Sequence, residues 1–285
     1  MTKLRSPIPW FGGKQQMSSK LLPLIPDHQT YVEPFGGACS LLFAKEPSPV
    51  EIYNDLDSDL VNFMRVLRDP KLFADFYHRA CLSPYSREEW QFCKNHLNDD
   101  PNPVERARRF FVLARFSFSG LVGNSFGIDV TASKGGMVQK ASSYQGVLGM
   151  LPRLSNRMTS VLIENRDFRK IIQLYDTEET FFYLDPPYLP ETRKGGTYPH
   201  ELTTDDHREL VEILHNIKGK VMLSGYPSEL YDSLGWRKIE WNVCCRAAGR
   251  TRASGLQGKG MVSKLQQRTE CVWLNYDLPC KDKVE

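Results

Sequence analysis

The sequence predicts an α/β protein, a mostly parallel sheet covered by helices on both faces and interrupted by an inserted, mainly helical block. Three observations carry this. From residue 159 onward strand-like and helix-like runs alternate, and strands separated by helices of roughly 10 to 15 residues pair in parallel. The first 60 residues hold two more strand-to-loop units. Between these two regions apolar residues recur at helical spacing, without a strand until a glycine-punctuated hairpin.

In chain order, "SSKLLPLI" is a short amphipathic run, "TYVEPFGGA" a strand entering a glycine turn, and "PVEIYNDLD" a second strand ending in acids. Helices follow over "DLVNFMRVL", "DPKLFADFYHRACL", "SREEWQFCKNHL" and "VERARRFFVLARF". Ser86 and Glu89 are spaced as a capping box, and Pro103 suits the first position of its helix. Over 117–146, "SFSGLVGNSFGIDVTASKGGMVQ" carries the Gly and Asn of a hairpin or loop. The alternation resumes with strand "TSVLIENRDF", helix "RKIIQLY", strand "TFFYLDPPY", helix "TTDDHRELVEILHNI", strand "GKVMLSGYP" and helix "PSELYDSL". The closing strands "RKIEWNV" and "RTECVWLNY" have no helix between them and can pair antiparallel. Residues 1–58 and 147–285 thus form one domain, and 59–146 an insertion.

The 285 residues are 41% hydrophobic and 25% charged, an ordinary soluble composition. No run approaches the roughly 18 to 20 apolar residues of a membrane span, and "MTKLRSPIPW" lacks a signal-peptide core, so a cytoplasmic location is expected. The seven cysteines are dispersed, with no CxxC; reduced thiols and no metal site are expected. Net charge is only +3, but 246–268 holds six Lys or Arg and no acid. Such a stretch is either a solvated loop or one that tracks phosphates.

Chemistry concentrates at strand ends. In open α/β sheets ligands sit at the carboxyl ends of strands, near the reversal of strand order. Gly36 and Gly37 permit a tight turn and close backbone approach, and Asp55 follows about 20 residues later, the spacing at which an acid accepts ribose hydroxyls. Taken singly, the glycine pair also fits a plain turn and Asp55 a helix cap. GxGxxG and GxxxxGK[ST] are both absent, which disfavours a nicotinamide cofactor and a nucleoside triphosphate and leaves a ligand with ribose but no pyrophosphate. In "PWFGGK", Trp10 offers a stacking face and Lys14 a charge. The most specific run is "DPPY". Pro186 and Pro187 cannot donate to a ladder, so they end the strand begun at 180. Asp185 and the Pro186 carbonyl can accept both hydrogens of an exocyclic base amine and free its lone pair for an electrophilic methyl. Tyr188 supplies a ring on which an extruded base stacks.

With "PWFGGK", "YVEPFGGACS", "IYNDLDSDL", "IENRDF" and "YLDPPY" in this order, the chain resembles the Dam-like, alpha-class DNA adenine-N6 methyltransferases, phage-like members included. The resemblance implies a Rossmann-like class I methyltransferase sheet, mostly parallel with its last strand antiparallel. It implies S-adenosyl-L-methionine as cofactor, bound by Trp10, Lys14, Glu33, Phe35, Gly37, Asp55, Asp167, Phe168 and Asp185. It makes Asp185, Pro186 and Tyr188 the pocket for a flipped adenine, and 59–146 the target recognition domain. Asn124 in the hairpin and Arg246, Arg250, Arg252 and Lys259 become DNA contacts. Double-stranded DNA is the implied partner, in a prokaryotic or phage setting. A restriction endonuclease is an allowed companion, and neither a membrane nor an obligate protein partner is implied. A cytosine-N4 methyltransferase and a catalytically silent DNA-binding regulator are the alternatives. Two departures stand out: Cys39 occupies a position where the family commonly has glycine, and Pro9 precedes Trp10 where many members have lysine.

Overall fold

In the computed structural model, which describes residues 4–10, 12–118, 122–128, 133–189, 191, 200–245 and 266–278, seven strands build one sheet. They are β1 (Thr30–Glu33), β2 (Val50–Asn54), β5 (Val161–Glu164), β6 (Thr180–Leu184), β7 (Lys220–Gly225), β8 (Arg237–Cys245) and β9 (Gln266–Leu274). The short strands β3 (Ser133–Lys134) and β4 (Met137–Val138) make a separate antiparallel hairpin. The sheet order is β5-β2-β1-β6-β7-β9-β8. Pairing is parallel from β5 through β7, and β9 runs antiparallel to both β7 and β8. The chain travels outward from β1 to β2 and β5, then returns to the other side of β1 as β6. The reversal therefore lies between the carboxyl ends of β1 and β6, where ligands bind in such sheets.

Strand side chains alternate between faces with a period of two, and the core divides accordingly. Tyr31, Tyr53, Phe181, Tyr183 and Met222 join one cluster, while Val32, Ile52, Phe182, Leu184 and Leu223 join the other. The second face is covered by α9 (Phe168–Tyr175), α10 (Thr204–His215) and α11 (Glu229–Asp232). The first is covered by α1 (Ser18–Leu21), α2 (Ser40–Ala44), α3 (Ser58–Arg68), α4 (Pro70–Leu82), α5 (Arg87–Asn95), α6 (Pro103–Phe116), α7 (Gln139–Leu148) and α8 (Leu151–Met158). Among the described residues no helix is long and apolar enough to cross a membrane. Cys39, Cys93 and Cys271 are buried free thiols, Cys81 an exposed one, and no metal-binding cluster occurs among the described residues.

The helical block begins cleanly because acids and amides cap it. Asp57 accepts from the Asp59 and Leu60 amides, Asp69 from those of Lys71 and Leu72, and Asn102 from that of Val104. Pro70 and Pro103 take first-turn positions, where a missing N–H costs nothing. Only half of the capping box at α5 forms. Ser86 Oγ accepts from the Glu89 amide, but the Glu89 carboxylate turns to Arg108, a buried cation that it holds together with Glu105. The complete box is at α10, between Thr203 and Asp206. Helices α7 and α8 occupy a stretch without a clear sequence signal. Serines and Gly146 weaken α7 intrinsically, and burial of Tyr144, Val147 and Leu148 holds it in place.

Phe63, Phe76 and Phe111 centre this block, with ring centroids 5.6–5.7 Å apart, and all three are fully buried. Phe111→Ala is expected to lower the unfolding free energy by ~3–5 kcal/mol through lost burial and a residual cavity. Urea denaturation measures it, and a loss under ~1 kcal/mol would contradict this packing.

Candidate active site

Four backbone segments meet at the β1/β6 reversal. The first is the turn after β1. A Cβ on Gly36 would fall 2.2 Å from Tyr53 Cε2, and one on Gly37, at φ +47°, 3.1 Å from Trp10 Cδ1. Gly36 has no room for a side chain, and Gly37 combines a tight contact with a left-handed backbone that side chains rarely adopt, so the turn suits glycine at both positions. Cys39 also adopts a left-handed conformation, φ 55°, the region in which glycine is least strained. The second segment is the end of β2. Asp55 accepts from the Gly37 amide (2.8 Å) and the Asp57 amide (2.9 Å) with different carboxylate oxygens. Asn54, 1% exposed, donates to the carbonyls of Pro34 (2.8 Å) and Arg166 (2.9 Å) and accepts from the Arg166 amide (2.8 Å). That one amide side chain pins the ends of β1, β2 and β5 to one another.

The third segment is the start of α9, where Asp167 caps the helix by accepting from the Arg169 amide and also pairs with the Arg169 guanidinium at 2.8 Å. Phe168 packs against Phe35, centroids 5.1 Å apart. The fourth is the end of β6. Asp185 receives Lys14 Nζ at 2.7 Å, and both side chains are largely buried. Lys14 Nζ also donates to the Gly12 carbonyl (3.0 Å) and stands 4.7 Å from the centre of the Tyr188 ring. Asp185 Oδ2 and the Pro186 carbonyl accept no hydrogen bond from described residues.

Together these segments line an open cleft whose envelope, adjoining solvent included, is about 990 Å³. Its walls carry the carboxyl groups of Glu33, Asp55, Asp57, Asp167, Asp185 and Glu201 against the cations Lys14 and Arg166. Burial pushes Asp185 up to about 6, with the pull of Lys14 working against it and Glu270 adding to it. Burial also raises Asp55 to about 6 despite its two amide donors. Glu33 is driven further, to about 8, by burial that hydrogen bonds from the Tyr31 hydroxyl and the Leu42 amide only partly offset. Burial opposes the Lys14 ammonium, but Asp185 and then Glu270 outweigh it and leave its pKa raised.

The profile of the D12 class N6 adenine-specific DNA methyltransferases matches residues 10–243. The chain belongs to this family. It is 27% identical over 275 residues to the type II methyltransferase M1.LlaDCHI of Lactococcus lactis subsp. cremoris, covering 90% of this chain and 92% of that one. Against the DNA N-6-adenine-methyltransferase of Escherichia phage P1 it is 26% identical over 245 residues, 82% of this chain and 32% of the phage protein. Against the DNA adenine methylase of Haemophilus influenzae it is 23% identical over 260 residues, 84% and 86% of the two chains. As an N6-adenine DNA methyltransferase it acts on DNA and needs a methyl donor.

In this adenine methyltransferase every residue expected at the cofactor, from Trp10 and Lys14 through Glu33, Phe35, Gly37 and Asp55 to Asp167, Phe168 and Asp185, lines the one cleft. Pro186 and Tyr188 lie beside it, with Tyr188 5% exposed. Its hydroxyl donates to Glu270 Oε2 at 2.6 Å, and its ring meets that of Tyr226 edge-on at 4.4 Å. Asn124 is exposed. Arg246, Arg250, Arg252 and Lys259 lie outside the described residues, as does most of the "LPETRKGG" run. Sequence reading missed Asn54, Tyr226 and Glu270. The only signal for Glu270 was an acid inside the otherwise apolar strand run "ECVWL".

Glu33→Gln tests the electrostatics. Between the usual 4.5 and about 8, the folded protein holds a proton that the unfolded chain has shed. Stability from this group therefore falls as pH rises through that window, by at most ~1.4 kcal/mol per pH unit. Unfolding free energies of the Gln variant are expected to fall less steeply than wild type from pH 5 to 7.5, and parallel slopes would contradict the burial account.

Proposed function

We propose that the cleft binds S-adenosylmethionine and that Asp185, Pro186 and Tyr188 receive an adenine turned out of duplex DNA, which is methylated at N6 by direct in-line transfer. The observation that carries this reading is that, among the described residues, neither Asp185 Oδ2 nor the carbonyl of the adjoining Pro186 accepts a hydrogen bond, while Asp185 lines a cleft rich in acids. Even with Glu33 protonated, acids outnumber the cations Lys14 and Arg166 in the walls, and a cleft with a surplus of one sign focuses its field on the opposite charge, so the walls fit a sulfonium and an ammonium better than a pyrophosphate. When bound, S-adenosylmethionine supplies an electrophilic methyl group.

The protein's own groups do the rest. Each Asp55 oxygen uses one lone pair on a backbone amide and keeps another for a ribose hydroxyl. Phe35 and Phe168 form an apolar wall for the purine of the donor. Lys14 occupies Asp185 Oδ1 and so fixes the carboxylate plane, leaving Oδ2 and the Pro186 carbonyl to accept the two hydrogens of N6. Those hydrogen bonds favour a tetrahedral nitrogen with its lone pair directed at the methyl, and because both acceptors are fixed in advance they strengthen as the transition state forms. The new carbon–nitrogen bond leaves N6 with a surplus proton, which Asp185 can take and pass to water.

Residues 59–146 serve in this reading as the target recognition domain, with Asn124 at the DNA, and Arg246, Arg250, Arg252 and Lys259 as phosphate contacts. Two matches bear on the setting: the relative from Lactococcus lactis and one from a Chlorella virus are named type II methyltransferases, so a restriction endonuclease is the companion to seek.

Transfer of labelled methyl from S-adenosylmethionine to unmethylated duplex DNA tests the roles. Asp185→Ala is expected to lower kcat by at least on the order of a hundredfold, the scale for one preorganised electrostatic group. A near-normal kcat would rule out the proposed role.

A further inference from the structure

We propose that Glu270 is a positioning residue for methyl transfer, acting on the target base through Tyr188. The inference rests on the reading of Tyr188 as the ring beneath the flipped adenine. Tyr188 follows β6, whereas Glu270 belongs to β9, and β7 lies between them in the sheet. Contact across that gap follows from strand direction. Because β9 runs antiparallel to β7, with Cys271 opposite Gly225 and Leu274 opposite Met222, its first half arrives at the carboxyl ends of β6 and β7. A parallel strand would begin at the opposite end of the sheet.

The alternation of β9 then selects the residue. Cys271 and Trp273 pack into the α9–α11 face, and Val272 into the other. Glu270 shares the parity of Val272 and so points to the side of the sheet that holds Tyr183. There its carboxylate accepts the Tyr188 hydroxyl at 2.6 Å. The bond between a phenol and a carboxylate is charge-assisted and directional.

Two neighbours complete the mount. Tyr226, just past β7, lies edge-on to the Tyr188 ring at 4.4 Å, and its own hydroxyl accepts from Arg268 at 2.6 Å. Lys14 sits 4.7 Å from the Tyr188 ring centre. The ring is thus fixed at its edge, at its hydroxyl and on the side of Lys14. Glu270 holds the far end of this side chain from the strand that directly follows the basic 246–265 run.

A ring held in one plane sets the height and tilt of the base stacked on it, and in-line attack tolerates little misplacement. The effect should therefore fall on kcat rather than on binding. Full-length protein, unmethylated duplex DNA and S-adenosylmethionine suffice for the test. Glu270→Ala is expected to lower kcat about tenfold, the scale of one charge-assisted hydrogen bond. Donor affinity and the thermal midpoint should stay near wild type. Glu270→Gln, which keeps an acceptor oxygen, should recover most of the rate. In a Tyr188→Phe background, which lacks the hydroxyl, the Glu270→Ala substitution should have little further effect. Wild-type kcat in Glu270→Ala would overturn the inference, as would an undiminished loss in the Tyr188→Phe background. Tyr188→Ala separates the two readings. If it cripples kcat while Glu270→Ala does not, only the positioning role fails; if it has no effect, the stacking role and the positioning role fail together.

Discussion

The ion pair between Lys14 and Asp185 joins groups 171 residues apart in the chain and sits where the strand order reverses. Burying two charges is costly, and removing either partner leaves the other uncompensated, a penalty of ~3–5 kcal/mol. The pair therefore fastens the N-terminal segment, with Trp10 and its glycine turn, over the end of β6. It also decides which Asp185 oxygen remains for chemistry. Without Lys14 the carboxylate would be a buried acid with a pKa still higher than about 6 and no fixed plane.

Around that pair the fold places acids where water is scarce. Glu33, Asp55 and Asp185 all have raised pKa values because of burial, and each subtracts from stability when ionised. Such a concentration of unfavourable groups persists at functional sites when the surrounding structure over-determines them. Here the surrounding structure is the double core of the sheet together with Asn54, whose three hydrogen bonds lock three strand ends into one rim.

Much of this was legible in the sequence because it is local. The "DPPY" tetrapeptide, the glycine pair and the acid after β2 are contiguous signals, and in an alternating α/β pattern each falls at a strand end. The mostly parallel sheet followed from the same alternation, and its antiparallel closing pair from the lack of a helix between the last two strand runs. What escaped was non-local. Glu270 is unremarked in its own strand and acquires meaning only once β9 reverses direction beside β7. Asn54 looks like a turn residue until three strand ends converge on it. Helix α7 was hidden for a different reason: its serines and Gly146 are weak helix formers, and tertiary burial supplies what propensity does not. The half-formed capping box shows the reverse case, a local motif overridden when Glu89 meets the buried Arg108.

The most direct test of the central ion pair is the pH dependence of kcat at saturating S-adenosylmethionine and DNA. In wild type the acid limb should report an acceptor that must be ionised, with an apparent pKa near the value of about 6 that burial gives Asp185. In Lys14→Met the loss of the neighbouring cation should move that limb upward by a pH unit or more, since an adjacent opposite charge lowers a carboxylate by roughly 1–3 units. An acid limb unmoved by the substitution would mean that Lys14 does not govern the ionisation of Asp185, and would contradict the account.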